Sequence, residues 1–425
     1  MIYTVKNGDT LYKIAASYGI TINDIVVANG LENPDKIIIG QNLFIPQTRP
    51  TTYQVKAGDT LYKIAMRYSI QLQDLINANP QIPNPNIINI GDTINLPDNR
   101  KEIEVNGYAI ANINNTTLDN TLPYLTYFSI FSYQVNSDGR LSNLYEEALI
   151  NKALENNVAP LMVITNIAET GGFDSNITSN ILNNEEIQNI LIADIISILS
   201  AKKYRGINID FEYIYPQDRE KYNDFLRKLN TQLKMANSNY LLTVAVAPKY
   251  RDNQQGILYE AHDYKAIGEI ADRVIIMTYE WGYMYGEPMA VSPKNEMSAV
   301  IKYATTRIPA NKILMGLPNY AYDWTLPFTQ GSAAEAISNT TATRRAIERG
   351  SVIMFDARSQ TPYYKYKDNE NKEHIVWFDD ARSYLSKLEL VNTFNLAGIS
   401  IWTINNYYPP LLSVLDNTYT IKKTR

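Results

Sequence analysis

The chain contains no cysteine, which excludes a disulfide scaffold, a thiol nucleophile and any thiolate-held zinc or iron–sulfur site. Histidine is almost as scarce. His262 and His374 are the two imidazoles, and neither sits in a nucleophile-elbow or metal-binding motif. No metal site and no organic cofactor is therefore expected, and the chemistry that remains is carboxylate chemistry. An uncharged apolar run of about 18 residues occurs nowhere, so no membrane span is expected. The opening Met1-Ile2-Tyr3-Thr4-Val5-Lys6 has no basic region leading into an apolar one, so no cleavable signal peptide is evident. Charge of one sign is lacking too: 39 basic face 44 acidic residues, without a strongly basic run, which argues against nucleic acid as a partner.

What is present is a globular composition, 45% hydrophobic and 20% charged, in a chain of 425 residues that is long enough for more than one core. The N-terminal part is a tandem repeat with a period of 50: residues 3–20 match residues 53–70 at 13 of 18 positions without a gap. Gly8-Asp9-Thr10-Leu11-Tyr12-Lys13-Ile14-Ala15 recurs as Gly58-Asp59-Thr60-Leu61-Tyr62-Lys63-Ile64-Ala65. Each copy closes on an apolar strand, Leu43-Phe44-Ile45-Pro46 or Ile94-Asn95-Leu96-Pro97. Leu11, Ile14, Ala15 and Tyr18 form one helical stripe after the Asp9-Thr10 turn, and Leu61, Ile64, Ala65 and Tyr68 repeat it. Thr21-Ile22-Asn23-Asp24 starts a second short helix that ends near Asn29-Gly30. The spacing predicts strand, helix, helix, strand in each copy.

This unit resembles the LysM module, a small α+β domain that binds glycans containing N-acetylglucosamine. The resemblance implies two glycan-binding domains, residues 1–48 (module 1) and 51–98 (module 2). In that family the glycan lies between the first turn and the loop before the last strand. That implies Asp9, Thr10, Leu11, Asn33, Pro34 and Ile37 as glycan contacts here, with Asp59, Thr60 and Leu61 in the second copy. Residues 1–100 carry eight basic and eight acidic side chains, a balance suited to uncharged acetamido sugars rather than polyanions. The modules are expected to work as a pair across the short 47–52 linker, and to be removable without harm to the domain C-terminal to them.

From residue 101 to 425 apolar strands alternate with amphipathic helices, the βαβ signature of a parallel sheet. Strands are expected at Ile103–Ile110, Tyr124–Phe131, Pro160–Thr165, Gly206–Glu212, Tyr240–Ala247, Arg273–Tyr279, Lys312–Leu317 and Leu396–Thr403. Eight alternations predict an α/β fold, a (β/α)8 TIM barrel, with an inserted α+β lobe near 324–373, where the connection is too long for a simple loop. In the fourth strand Ile207, Ile209 and Phe211 alternate with Asn208, Asp210 and Glu212. That polar column ends at the carboxyl end, where barrel active sites open. Proximity of two carboxyls raises the pKa of one of them, and Glu212 at the rim is then the natural proton donor, with Asp210 beneath it controlling its protonation.

Gly206, Asp210 and Glu212 resemble the Asp-Gly-x-Asp-x-Asp-x-Glu signature of glycoside hydrolase family 18, with Arg205 and Asn208 in place of its first two aspartates. Met277-Thr278-Tyr279-Glu280 resembles the Met-x-Tyr-Asp/Asn motif of that family, and Trp402 the tryptophan that floors its sugar site. The third strand ends Thr165-Asn166 rather than in the Ser-x-Gly-Gly of ordinary chitinases. The resemblance implies a retaining hydrolase in which the substrate's acetamido group is the nucleophile. Glu212, Asp210, Tyr279 and Asn208 would be catalytic, and Trp402, Tyr108, Asn166, Glu280 and Tyr320 would bind substrate. LysM pairs ahead of such a barrel resemble the spore cortex-lytic and germination N-acetylglucosaminidases. That implies peptidoglycan or its fragments as partner and the spore's outer layers as location. A chitin or N-glycan hydrolase and a non-catalytic glycan-binding protein are the alternatives.

Overall fold

The computed structural model describes residues 1–47, 49–68 and 70–424. Thr48 and Arg425, which bound two of the expected domains, and Ser69 lie outside the described residues. Module 1 runs strand Ile2–Thr4, helices Leu11–Tyr18 and Ile22–Asn29, strand Asn42–Phe44. Module 2 repeats this as Thr52–Gln54, Leu61–Tyr68, Leu72–Asn77 and Thr93–Asn95. The local signals act as their chemistry requires. Thr10 caps the first helix by accepting from the Lys13 amide, Thr21 and Asp24 form a capping box, and Gly19 and Gly30 end their helices in the left-handed conformation.

Eight parallel strands close the barrel: β1 (Lys101–Ile110), β2 (Tyr127–Gln134), β3 (Ala159–Thr165), β4 (Gly206–Asp210), β5 (Leu241–Val246), β6 (Arg273–Ile276), β7 (Ile313–Pro318) and β8 (Gly398–Trp402), with β8 pairing back onto β1. Gly398 makes that seam possible, since a Cβ there would stand 1.7 Å from the Glu104 carbonyl oxygen. The sheet departs from expectation in its second strand, which starts at Tyr127 because Pro123 turns Leu122–Tyr124 into a single 3₁₀ turn. The fourth strand ends at Asp210 and the sixth at Ile276, so Glu212 and Tyr279 both stand on loops just beyond their strands. Between β7 and β8 the lobe forms a five-stranded antiparallel sheet from Ala321–Leu326, Glu335–Ile337, Met354–Asp356, Thr361–Lys367 and Glu373–Trp377, backed by helix Asn339–Glu348.

The two modules differ in how they meet this body, although the repeat led both to be expected to be removable alike. Ala28 and Phe44 of module 1 belong to the barrel's own hydrophobic core, and Ile38 packs against the core of the lobe. The Asn42 amide donates to the buried Asp380 carboxyl at 2.6 Å, and the Ser413 hydroxyl to the Ala28 carbonyl at 2.9 Å. Ile353 N–H donates to the Ile39 carbonyl at 3.0 Å, at a contact so close that a Cβ on Gly40 (φ +86°) would fall 1.8 Å from the Ile353 oxygen. Module 2 keeps a core of its own, Val55, Leu61, Ile64, Leu75 and Ile94 among it. Arg49 and Arg100, at its two ends, reach the carbonyls of Asn417 and Asp416, where the helix Pro409–Thr418 terminates. A guanidinium there also faces the negative end of the helix dipole.

The difference is measurable. Phe44→Ala truncates a side chain that is 4% exposed, and should cost about 3 kcal/mol or more in a thermal or denaturant melt of the whole body. Asn95→Ala, the counterpart in module 2, lies on a strand whose side chains there are exposed and should leave the barrel transition within about 0.5 kcal/mol of the parent. Equal effects on the barrel transition would mean that module 1 is not part of that core.

Candidate functional site

The inward column of β4 begins with Asn208, fully buried. Its Oδ1 accepts from the Tyr108 hydroxyl at 2.8 Å, and its Nδ2 donates to Thr243 Oγ1 at 2.8 Å. Both ends of the amide are thus engaged with β1 and β5 rather than with Asp210, although the two side chains share the inward face of one strand. Asp210 stands above with its Oδ1 buried and without a hydrogen-bond partner. Removal from water pushes its carboxyl up to about 7. Glu212 is pushed well above the ordinary carboxylate range, first by burial and then by the charges of Asp210 and Glu280. Of the pair, Glu212 keeps its proton to higher pH.

Two groups whose role no sequence motif marks hold the segment after β4. Asn166 accepts the Glu212 N–H at 2.9 Å on its Oδ1 and donates to the Glu212 carbonyl at 2.8 Å from its Nδ2. With no exposed surface, it grips the backbone of Glu212 instead of meeting sugar, which corrects its expected role. His262 is equally buried: the Ala247 N–H donates to its Nδ1 at 2.9 Å, so Nε2 carries the proton and donates to the Phe211 carbonyl at 3.1 Å. Burial lowers this imidazole to about 4, opposed by the bond to Phe211 and reinforced by Lys249, so it stays neutral. The carbonyl between the two carboxylates is therefore pinned by a fixed tautomer.

The other expected residues converge on the same mouth. Tyr279 lies where the charges of Asp210, Glu212 and Glu280 all act on it, and burial pushes its phenol up further than they do. Glu280 takes a left-handed φ of +67° and accepts from the hydroxyls of Tyr320 and Tyr322, the latter at 3.1 Å. Tyr322 is an addition to the expected set; its sequence signal is the i, i+2 spacing from Tyr320 on a lobe strand. Trp402 is partly exposed and framed edge-on by Tyr108 at 5.5 Å and Phe131 at 4.9 Å. Tyr108 itself is 3% exposed and packs edge-on against the tryptophan, so it supports that ring instead of presenting a surface to a ligand. Among the described residues no cluster of three or more metal-ligating side chains occurs, and no helix is long and apolar enough to cross a membrane.

A model of glycosyl hydrolases family 18 matches residues 104–406. The chain belongs to that family. LysM domain models match residues 3–46 and 53–97. The family 18 chain is 42% identical over 429 residues to the cortical fragment-lytic enzyme of Bacillus subtilis (strain 168), covering 99% of each. It is 38% identical to the Bacillus megaterium spore cortex-lytic enzyme SleL, whose crystal structure it fits with a TM-score of 0.86 over 99% of this chain and 98% of that one. The corresponding structure from Bacillus cereus gives 37% and 0.85 over 100% and 99%.

The candidate glycan contacts of the modules divide. Leu11 and Leu61 are 3% and 2% exposed and belong to the module cores, so their side chains are not on the surface as the resemblance implied. Asp9 and Asp59 close their own turns, accepting from Tyr3 and Lys6 or from Tyr53 and Lys56 at 2.7–2.8 Å. Thr10 and Thr60 are helix caps. Asn33, Pro34 and Ile37 lie on the loop before the last strand; Asn33 and Ile37 line the space between that loop and the lobe, and Asn33 and Pro34 are exposed.

The raised carboxyl pKa values carry a stability consequence. An acid whose folded pKa lies above its unfolded value keeps a proton that the unfolded chain has already released, so stability falls as pH rises between about 4 and about 7. Asp210→Asn removes one such acid and relieves the other. It should melt higher than the parent at pH 8 and level with it at pH 4, by scanning calorimetry; a gain that does not depend on pH would contradict the desolvated pair.

Proposed function

We propose that the protein is a β-N-acetylglucosaminidase that cleaves spore-cortex peptidoglycan, or fragments of it, in the spore's outer layers. What supports this reading first is the carboxyl pair at the barrel mouth: a desolvated Glu212, pushed well above the ordinary carboxylate range and held by its backbone, beside an Asp210 whose buried Oδ1 has no hydrogen-bond partner among the described residues. The whole-length likeness to cortex-lytic and cortical fragment-lytic enzymes supplies the substrate class.

In the mechanism Glu212 gives its proton to the glycosidic oxygen as the bond from the anomeric carbon to that oxygen breaks. The carbonyl oxygen of the substrate's own 2-acetamido group attacks the anomeric carbon and forms an oxazolinium ring, so the enzyme supplies no covalent nucleophile. Asp210 accepts from the acetamido N–H, and its negative charge offsets the positive charge that develops there. Tyr279 donates to the acetamido oxygen, and Trp402 stacks below the sugar. Water then attacks the anomeric carbon, returning a proton to Glu212 and opening the ring with retention. Glu280, with Tyr320 and Tyr322 behind it, presents a carboxylate to the hydroxyls of the bound sugar. Asn208 is a positioning residue that ties β4 to Tyr108 and Thr243. The LysM modules hold the glycan near the cleft. A lectin would have no use for a retained, desolvated Glu212, which favours the enzyme over the non-catalytic alternative.

Glu212→Gln should keep the fold and lower turnover on cortex fragments by about 10² to 10⁴. Mass analysis of the products made by the parent enzyme should find N-acetylglucosamine at the new reducing ends. The same fragments after N-deacetylation should resist cleavage, because they lack the nucleophile. Cleavage of the deacetylated glycan at a comparable rate would sink the substrate-assisted route, and digestion of chitin but not cortex would redirect the substrate assignment.

A further inference from the structure

Docking of module 1 leaves a cavity of about 540 Å³ between its loop 31–38 and the lobe helix Asn339–Glu348. This lies within the range of about 300–1,000 Å³ that small-ligand pockets occupy. Both walls are fixed. On one side the Gly40 contact and the Ile39–Ile353 hydrogen bond set the spacing of loop and lobe, and at the base the buried Asn42–Asp380 bond ties the module to the barrel. The lining is mixed. Ile37, Ile347 and Ile353 give apolar surface, while Asn33, Lys36 and Arg344 bring hydrogen-bond donors. Asn33 uses its Oδ1 on the Asp35 N–H at 3.0 Å, which orients its side-chain amide within the loop. The Arg344 guanidinium is only loosely paired, 3.6 Å from Glu32 and 3.9 Å from Glu348. Those acids, with Asp35 and with Asp380 at the base, outnumber the two cations. A pocket with donors, apolar faces and no excess positive charge suits an uncharged sugar and disfavours a phosphate or other polyanion.

In module 2 the equivalent surface is open. Ile87 and Ile90 of its loop are 62% and 74% exposed, and a Cβ on Gly91 would meet nothing within 4 Å. The modules are duplicated in sequence but one of the two has been given a second wall.

We propose that the cavity between module 1 and the lobe is a saccharide subsite, built jointly by a LysM loop and the catalytic domain, that takes an acetamido-sugar unit of the glycan. It rests on the reading of the protein as an N-acetylglucosamine-directed hydrolase. Because both walls are rigid parts of one body, a chain held there enters the cleft at a set distance, whereas module 2 imposes no such register.

The test uses the full-length Glu212→Gln protein and the tetramer of N-acetylglucosamine, followed by hydrogen–deuterium exchange. The tetramer should slow exchange in segments 31–41 and 340–350 with one common midpoint, although these segments belong to different domains. Arg344→Ala, a change at a half-exposed side chain, should raise that midpoint about tenfold in both segments, equivalent to about 1.4 kcal/mol. It should leave the midpoint at the cleft segment 277–283 unmoved. Thr343→Trp, which fills the cavity from the lobe side, should abolish protection in both segments. Protection of 31–41 without 340–350, protection in neither, or protection that ignores both substitutions would overturn the subsite. Failure of the catalytic reading is distinguishable, since it removes protection at 277–283 while the cavity segments still respond.

Discussion

Everything in the barrel mouth depends on keeping one carboxylate out of water without giving it a partner. A buried, unpaired acid is strongly unfavourable, and the protein tolerates it only because the surrounding backbone cannot relax to solvate it. Asn166 fixes the peptide on both sides of Glu212, His262 fixes the carbonyl of Phe211, and Asn208 is held by its neighbours so that its amide does not swing up to satisfy Asp210. The consequence is an acid that remains protonated near neutral pH next to a group ready to take up the positive charge of an oxazolinium ion. A looser mouth would admit water to both carboxyls, and with burial relieved each would drop toward ordinary acidity.

Much of this is legible in the sequence because it is written in short-range patterns. The repeat of Gly-Asp-Thr-Leu, the alternation along Gly206–Glu212 and the eight apolar strands each depend on residues close together in the chain. The parts that escape are held across long sequence separations. Asn166 reaches Glu212 across 46 residues and His262 reaches Phe211 across 51, and each looks like an ordinary polar residue until the barrel closes. Asn208 reads as a partner of Asp210 because both point inward from one strand, yet a barrel interior offers competing partners from strands on either side. Tyr322 joins the site only because the lobe folds back over the mouth.

The unequal fate of the two modules does leave a trace that the repeat itself obscures. Where module 1 has Asn42 and Phe44 on its last strand, module 2 has Thr93 and Asn95, and the strand is fully covered in one case but covered only at its central residue in the other. Comparing two copies for what they share reveals the module. Comparing them for where they differ in polarity reveals which copy has found a neighbour.

Module 2 enters and leaves the body at nearly one point, because Arg49 and Arg100 both contact the last turn of helix Pro409–Thr418 and both approach Asp98. Topologically it is a bead inserted into a connection whose two ends already lie side by side, the arrangement in which whole domains are gained or lost with least disturbance. Gene rearrangement could delete or multiply residues 52–97 and leave module 1, the lobe and the barrel as they are. Wall-binding strength could thus change through evolution in whole-module steps, on a catalytic body whose own geometry does not have to adapt.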